Sequence, residues 1–308
     1  MAFTAKDVAA LREKTGCGMM DCKKALQASD GDEAKAIEFL REKGLAAAAK
    51  KASRIAAEGV IALHIDNEKQ IGVIIEVNSE TDFVARNDEF RALVTGAAKA
   101  VAEYAPETVE ALLECKFEDT TDTVADVLRE KILKIGENMN IRRFVRVEGF
   151  CAGYVHGGGA SAALVKIEGD AAALANDAVT EMGKNIGMQI VAMTPAYLNP
   201  EAVPAEVVES EKQILISQIK NDPKMANKPE QVIEKMVAGK INKYYQENCL
   251  LNQAYVKEPK QSVADYIAEV SKAVGAELKV TQFVAYEKGE GLQKREDNFA
   301  DEVASMTK

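Results

Sequence analysis

The chain is poor in the residues from which catalytic and metal centres are usually built. Its 308 residues include only two histidines, His64 and His156, and five cysteines, none of them in a C-x-x-C pair. An odd number of scattered cysteines is typical of reduced thiols rather than of a disulfide framework or a zinc site. We therefore expect neither a metal ion nor a cofactor.

Nucleotide-binding loops and serine-hydrolase motifs are absent as well. No G-x-x-x-x-G-K-S/T or G-x-G-x-x-G sequence opens a predicted helix. Three glycines follow His156, as in the oxyanion-hole stretch of some lipases, but Ser161 lies outside a complete G-x-S-x-G elbow. A tight glycine turn between two strands is the simpler interpretation. Without a catalytic set, the sequence predicts a binding protein that is not an enzyme.

Long apolar runs are missing too. No stretch is long and apolar enough to span a membrane, and residues 1–7 have no apolar signal core, so we expect a cytoplasmic location and no membrane partner. The net charge of -10 argues against direct binding of nucleic acid. Residues 1–55 are the exception, with eleven Lys or Arg against eight Asp or Glu. This basic segment could meet an acidic partner surface.

The first 55 residues predict a module of three short helices. Thr4 can cap a first helix that buries Val8 and Leu11, and the turn Asp30-Gly31-Asp32 can cap a third helix. Residues 44–57 are rich in Ala and Lys and predict a helical connector. A unit of this size has a small core, so we expect it to dock onto a partner.

The middle of the chain shows the same pattern twice. Each copy has two predicted strands followed by a helix: strands at 59–65 and 71–77 with a helix at 88–103, and strands at 145–155 and 162–167 with a helix at 171–193. Residues 121–138 have apolar side chains at helical spacing and predict a packed helix between the copies. The predicted fold class is α+β, with a duplicated hairpin-plus-helix core and antiparallel sheets.

Helical spacing returns after the second copy. Two runs around a turn signal predict an antiparallel helical hairpin inserted at 204–248, after which the sheet resumes at 278–286. Residues 297–303 predict a short terminal helix. The expected units of the chain are 1–55, 56–143, 144–203 together with 249–286, 204–248, and 287–308.

The most informative local feature follows the strand at 71–77. Asp82 and Phe83 lie in the connection after it, a place where binding groups are often carried on a rigid scaffold. Either Asp82 caps the next helix while Phe83 packs into the core, or both side chains face outward. The second copy has Glu168-Gly169-Asp170 at this place, without an aromatic residue. This difference favours an outward role for Phe83.

Five motifs stand in a fixed order along the chain. They are LREKTGCGMMDCKKAL at 11–26, NSETDFVA at 78–85, KIGEN at 134–138 running into IRR at 141–143, YVHG at 154–157 and IEKMVAG at 233–239. Together they resemble bacterial elongation factor Ts, the family of guanine-nucleotide exchange factors for elongation factor Tu. The resemblance implies an N-terminal module similar to ubiquitin-associated domains, a duplicated α+β core, an inserted helical hairpin and a C-terminal helical module.

The same resemblance implies an exchange site at Thr81, Asp82, Phe83, Val84 and His156. Phe83 would act as a wedge between helices of the partner's nucleotide domain, and Asp82 would disturb the network around its magnesium ion. In this way residues 81–84 would displace the metal from elongation factor Tu, which the chain would bind in GDP-bound and nucleotide-free states. The N-terminal module, the first core half and the C-terminal module would contact the nucleotide domain. The second core half and the hairpin would reach the partner's third domain.

Docking of the N-terminal module would use Leu11, Arg12, Met19, Met20 and Lys23. The alternative is that Leu11 and the two methionines are only core residues. Two other kinds of binding protein remain open at this point. A ubiquitin-associated-type adaptor would bind a small protein through residues 1–55 alone. An RNA-binding factor would use the basic side chains of Lys43, Lys50, Lys51 and Arg54.

Overall fold

The computed structural model describes residues 3–15, 17–222 and 229–293. Its helices are α1 (Ala5–Thr15), α2 (Met19–Ala28), α3 (Glu33–Lys51), α4 (Asp82–Ala85), α5 (Asp88–Tyr104), α6 (Val109–Glu114), α7 (Val124–Ile135), α8 (Ala171–Leu174), α9 (Asp177–Met193), α10 (Ala205–Asn221), α11 (Glu230–Asn248) and α12 (Val263–Val274). Its strands are β1 (Glu58–Asp66), β2 (Ile71–Ser79), β3 (Met139–Glu148), β4 (Cys151–His156), β5 (Ser161–Glu168), β6 (Ala254–Tyr255), β7 (Glu258–Ser262) and β8 (Lys279–Glu287).

Two three-stranded antiparallel sheets form the centre of the molecule. Sheet one has the strand order β1-β2-β3 and sheet two the order β4-β5-β8. The middle strand of each sheet leads into a four-residue helix and then a 17-residue helix, α4 and α5 in the first half and α8 and α9 in the second. This mixture of helices with antiparallel sheets confirms the α+β class.

The two sheets pack face to face around a small apolar layer. Ile61 and Ile74 of sheet one cluster with Ala162 and Leu164 of sheet two, and all four are almost fully buried. A glycine permits this close approach, because a Cβ on Gly72 would lie 2.7 Å from the side chain of β4's first residue. Since side chains alternate along a strand, the outer face of each sheet remains to be covered by helices.

Helices cover both outer faces. Phe90 and Leu93 of α5 pack into the core outside sheet one, together with residues of α7. Met182 and Ile186 of α9 do the same outside sheet two, together with α12. Full burial of one such side chain stabilises the fold by about 1.5–3 kcal/mol. The packed sheets and helices form a rigid scaffold, and the connections between strands and helices lie at its surface.

Helices α1, α2 and α3 pack around a small core of their own. Its buried members include Val8, Leu11, Cys22, Leu26 and Leu40. Asp32 caps α3 as predicted, accepting the backbone N–H of Lys35 at 3.1 Å. The helix continues through most of the predicted connector and lies against α7, where Nζ of Lys51 donates to the carbonyl of Ile132 at 3.1 Å. The N-terminal helices therefore rest on the first half of the core.

A buried carboxylate ties the residues after β8 to sheet one. Glu76 on β2 accepts hydrogen bonds from Nη1 of Arg142 at 3.1 Å, Nε of Arg143 at 2.6 Å and the N–H of Gly289 at 2.8 Å. Burial alone would raise the pKa of this fully buried carboxyl, but the hydrogen bonds outweigh burial and lower the pKa. Since β8 belongs to sheet two, the segment 288–290 bridges the two sheets.

The predicted strand at 145–155 is wrong. Residues up to Glu148 belong to β3 of sheet one, and residues from Cys151 onward belong to β4 of sheet two. Gly149 separates the strands with a φ of 119°, a conformation open to glycine that ends regular pairing. Because β3 begins at Met139, it crosses the expected boundary between residues 143 and 144.

Other elements differ less from the predictions. The helix predicted at 171–193 is interrupted after α8, and β6, β7 and α12 were not predicted. Helices α10 and α11 pair at the predicted hairpin around buried Ile219, Val237 and Ile241. The terminal helix predicted at 297–303 lies outside the described residues. Among the described helices, none combines the length and apolarity needed to cross a membrane.

Candidate functional site

The connection after β2 forms a compact turn that we call the first corner (residues 80–87). Helix α4 directs Val84 and Ala85 inward, where they are 7% and 6% exposed. The same helical turn directs the ring of Phe83 outward, and this side chain is 80% exposed. The interpretation in which Phe83 packs into the core is therefore excluded.

Two glutamates hold the first corner against the residues that precede β3. Thr81 donates its backbone N–H to Oε2 of Glu137 at 3.0 Å and its hydroxyl to Oε1 at 2.7 Å. Glu80 accepts the backbone N–H of Asn138 at 2.6 Å. Hydrogen bonds to charged groups contribute about 1.5–3 kcal/mol each. These hydrogen bonds thus fix the backbone that carries Phe83 to the residues just before β3.

Asp82 is not the cap of α4. The N-cap is Thr81, whose Oγ1 accepts the N–H of Val84 at 3.4 Å. The carboxylate of Asp82 accepts a hydrogen bond from Nη2 of Arg86 at 2.8 Å and remains about half exposed. An exposed ion pair one helical turn apart is worth only about 0.3–0.5 kcal/mol. This carboxylate can therefore exchange Arg86 for another group at little cost.

Arg91 links the first corner to the three-glycine turn between β4 and β5, which takes positive φ throughout as predicted for a tight turn. Nε of Arg91 donates to the carbonyl of Ala85 at 3.2 Å, and its Nη2 donates to the carbonyl of Gly158 at 3.1 Å. His156 lies exposed at the start of the turn, with Nδ1 3.1 Å from the hydroxyl of Tyr154. One arginine side chain thus brings the first corner close to the turn that follows His156.

The residues expected to dock the N-terminal helices fall into two groups. Met19 and Met20, at the start of α2, are 43% and 61% exposed, and Arg12 and Lys23 are exposed as well. Leu11 is only 1% exposed and packs inside the three-helix core. Leu11 is therefore a core residue, whereas the other four side chains are open to a partner.

Comparison with known proteins identifies the family. The family model described as Elongation factor TS matches residues 80–290, which begin at the first corner. The chain is 46% identical over 307 residues to elongation factor Ts of Clostridium botulinum strain Eklund 17B, with 99% of each chain covered. It is 48% identical to elongation factor Ts of Clostridium botulinum strain ATCC 19397, with 98% of this chain and 97% of the relative covered. The chain belongs to the elongation factor Ts family.

Some contacts that shape this site were not predicted from the sequence. Glu80, Glu137 and Asn138 lie in the motifs at 78–85 and 134–138, but their contacts were missed because the sequence pattern starts the relevant strand too late. The observed register pairs Ser79 of β2 with Met139 of β3. In an antiparallel pair, residues just after Ser79 face residues just before Met139. A strand placed at 139 would have indicated all three contacts.

The described part of this elongation factor Ts chain contains potential metal ligands and thiols, and what they can bind depends on their placement. Within residues 3–15, 17–222 and 229–293, no group of three or more His, Cys, Asp or Glu side chains is placed to hold a metal ion. Cys17 and Cys22 lie inside the three-helix core, and burial raises the pKa of the Cys17 thiol. An exposed ring and an exchangeable carboxylate on a fixed corner can act by binding.

Proposed function

We propose that this chain is the guanine-nucleotide exchange factor of elongation factor Tu and promotes the release of GDP from it. It acts in the cytoplasm, binds the GDP-bound and nucleotide-free forms of its partner, and carries out no covalent chemistry. Membership of the elongation factor Ts family supports this partner. The single observation that carries the proposed contact is the 80% exposure of Phe83 on a fixed corner.

Phe83 acts as a wedge in this proposal. Full burial of a Phe side chain is worth about 1.5–3 kcal/mol. If the ring finds an apolar pocket only when the helices of the partner's nucleotide domain move apart, this energy favours the open arrangement. The open arrangement holds GDP less tightly, so ring burial is converted into nucleotide release.

Asp82 acts on the magnesium network in this proposal. Its carboxylate gives up the weak surface pair with Arg86 and offers charge and hydrogen-bond acceptors to groups around the partner's metal ion. Thr81 and Val84 hold the two active side chains at the tip. Together residues 81–84 displace magnesium from the partner rather than bind it.

The required energy exceeds what one ring supplies. A factor that weakens GDP binding about a thousandfold must prefer the nucleotide-free partner by about 4 kcal/mol, at roughly 1.4 kcal/mol per tenfold. By the same coupling, GTP binding later expels the factor. Since Phe83 contributes about 1.5–3 kcal/mol at most, other contacts must supply the remainder and hold the tip in place.

We assign those contacts to the other parts of the chain. A ubiquitin-associated-like module at 1–55 docks on the nucleotide domain through exposed Arg12, Met19, Met20 and Lys23, beside the first core half and the C-terminal module at 287–308. The second core half, with His156, and the hairpin at 204–248 reach the third domain. The exposure of the four docking side chains supports this assignment.

Stopped-flow release of a fluorescent GDP analogue from purified elongation factor Tu tests the proposal. We expect the chain to accelerate release, and we expect Phe83→Ala to lower the maximal stimulated rate about tenfold or more. Binding of this variant to nucleotide-free partner remains measurable, because the docking contacts are intact. No acceleration by the unaltered chain would contradict the exchange function. An unchanged rate with Phe83→Ala would contradict only the wedge.

A further inference from the structure

Glu137 is held between a helix end and a strand start. Helix α7 closes at Gly136, which takes a φ of 91°, and β3 begins two residues after Glu137. The next residue, Asn138, is itself bound by Glu80 through its N–H and donates its side-chain amide to the carbonyl of Arg54 at 2.9 Å. The backbone of Glu137 is therefore fixed on both sides, and its side chain is directed at the first corner.

Both carboxylate oxygens of Glu137 bind the same residue. One accepts the N–H of Thr81 and the other accepts its hydroxyl proton, at 3.0 and 2.7 Å. A hydroxyl has a single proton, so donation to Glu137 leaves the lone pairs of Thr81 Oγ1 for the N–H of Val84. Glu137 thereby sets the orientation of the group that caps α4.

The direction of the Phe83 ring depends on that cap. Helix α4 has four residues, too few to be stable by its own hydrogen bonds. Phe83 is its second residue and projects into solvent, so no packing of its own fixes its direction. A corner without the cap would have to become ordered during binding, and this ordering would reduce the benefit of ring burial.

The corresponding connection in the second half of the chain shows the opposite combination. Its cap residue, Asp170, makes no side-chain bond to α8 among the described residues, and the position equivalent to Phe83 is the exposed Ala172. The two hydrogen bonds from Thr81 to Glu137 are thus observed at the corner that carries the ring. If such bonds were needed only to cap a four-residue helix, they would be needed in both corners.

We propose that Glu137 is a positioning residue for nucleotide exchange, which acts through Thr81 to fix the direction in which Phe83 leaves the surface. This inference rests on the proposed exchange function and on the wedge role of Phe83. Glu137 is half-buried behind the corner, so its effect on the partner is indirect.

Glu137→Ala separates positioning from docking. We expect the maximal rate of GDP release to fall about tenfold, as for a misplaced reacting group, while the half-saturating concentration stays within about twofold. Glu137→Gln should give an intermediate rate, because its amide oxygen can still accept the N–H of Thr81 whereas its NH2 group donates to Oγ1 instead of accepting the hydroxyl proton. Glu110→Ala removes one exposed glutamate from α6 and is the matched control, with no change expected.

A cycle with Phe83→Ala identifies the route of the effect. If Glu137 acts through the ring, Glu137→Ala adds no further loss to a chain that already carries Phe83→Ala. An additive loss would overturn the proposal, since it would mean that Glu137 works through general stability or by touching the partner. A normal rate for Glu137→Ala, with Phe83→Ala slow, would also overturn it while leaving the exchange function intact.

Hydrogen exchange in the free chain gives a readout that needs no partner. We expect Glu137→Ala to speed amide exchange of Val84 and Ala85 about tenfold, while the helices outside the corner stay protected. Unchanged exchange at the corner would overturn the positioning role. An unchanged release rate with Phe83→Ala would contradict both the wedge role of Phe83 and the positioning role of Glu137. A normal rate with Glu137→Ala, when Phe83→Ala is slow, would contradict only the positioning role, so the two results can be distinguished.

Discussion

The first corner and its counterpart after β5, the second corner (residues 169–176), have the same plan. Each begins at an N-cap, Thr81 or Asp170, and continues through a four-residue helix. Each ends at an asparagine, Asn87 or Asn176, whose side chain caps a 17-residue helix. The local fold is therefore reached by two different sequences, and differences between them are not demanded by the fold.

The outward position is the main difference. Val84 and Ala173 both point inward and are 7% exposed, so the helices lie in the same orientation on their sheets. The preceding residue is exposed in both, Phe83 in the first corner and Ala172 in the second. Because alanine suffices at this place in the second corner, the shared local fold does not require the ring of Phe83, which supports the proposed contact with a partner.

Strand β2 also runs one residue further beyond its register shift than β5 does. Three residues separate Val77 from the cap at Thr81, whereas two separate Ile167 from the cap at Asp170. Both Val77 and Ile167 follow a register shift in their sheets, so they are equivalent starting points. Glu80, directly before the cap, accepts the N–H of Asn138 just before β3, whereas the second corner has Gly169 at this place and so has no carboxylate there. The first corner therefore differs from the second both in its ring and in the contact that supports it.

Giving the first corner the sequence of the second should have the largest effect. Asp82→Ala combined with Phe83→Ala introduces the Ala-Ala pair of α8. This double change should lower the rate of stimulated GDP release about a hundredfold, because the burial of the ring and the exchangeable carboxylate are both lost. Stopped-flow fluorescence measures the rate. The reciprocal change, Ala171→Asp with Ala172→Phe, should leave release within about twofold. A large loss from the reciprocal change would show that the corners are not functionally distinct.

Exchanging the caps should have the next largest effect. Thr81→Asp places a second carboxylate against Glu137. The hydrogen bond from the Thr81 hydroxyl is lost and the two carboxylates repel each other, so the free energy of unfolding should fall by about 2 kcal/mol. Urea unfolding followed by circular dichroism measures the change. Glu137→Gln in the same chain should recover most of it. Asp170→Thr should change stability by less than about 0.5 kcal/mol, and an equal loss there would mean that the caps are equivalent.

Cutting the link between the first corner and the glycine turn should have a smaller effect. Arg91→Met keeps the aliphatic stem but removes the donors to Ala85 and Gly158, and should lower the maximal release rate about fivefold. Thr180→Ala, at the equivalent exposed position of α9, is the matched control. An unchanged rate with Arg91→Met would show that the first corner is positioned by sheet one alone.

Removing apolar side chains from the surface of the N-terminal helices should have the smallest effect. This change tests whether the release step at the first corner is independent of docking by the N-terminal helices. Met19→Ser with Met20→Ser removes partly exposed apolar side chains and should raise the half-saturating concentration about threefold. The maximal rate should not change, since the corner is intact. Leu45→Ser, at another half-exposed apolar side chain of the same helices, is the control. A fall in maximal rate would contradict the division between docking and release.

Elements with a local signal were predictable from the sequence. Short apolar runs on either side of the turn at 66–70 indicate β1 and β2, and helical spacing of apolar residues indicates α5, α10 and α11. Helix α12 carried such a signal as well, because Ser262 and Asp265 form a capping box. For these elements, the residues that determine the helix or strand lie close together in the sequence.

Elements decided by distant contacts were not predictable in the same way. Strand β3 is mostly half-buried and rich in arginine, so its alternation is faint, and its sheet is decided by pairing with β2. At the site, the position of Asp82 and Phe83 after a strand left both orientations open, and the absence of an aromatic residue from the second copy favoured the exposure of Phe83. The bonds of Thr81 with Glu137 and of Arg91 with the glycine turn join residues 56 and 67 positions apart, and no local pattern encodes them.

The bond between Glu76 and the N–H of Gly289 joins residues 213 positions apart and makes the chain close on itself. The strand before Gly289 belongs to sheet two, while Glu76 belongs to sheet one. Separating the halves would therefore open a very long loop and deprive a buried carboxylate of one of its donors. The two halves of the core are therefore expected to unfold together rather than one after the other, so that the surfaces proposed to bind the partner are lost together.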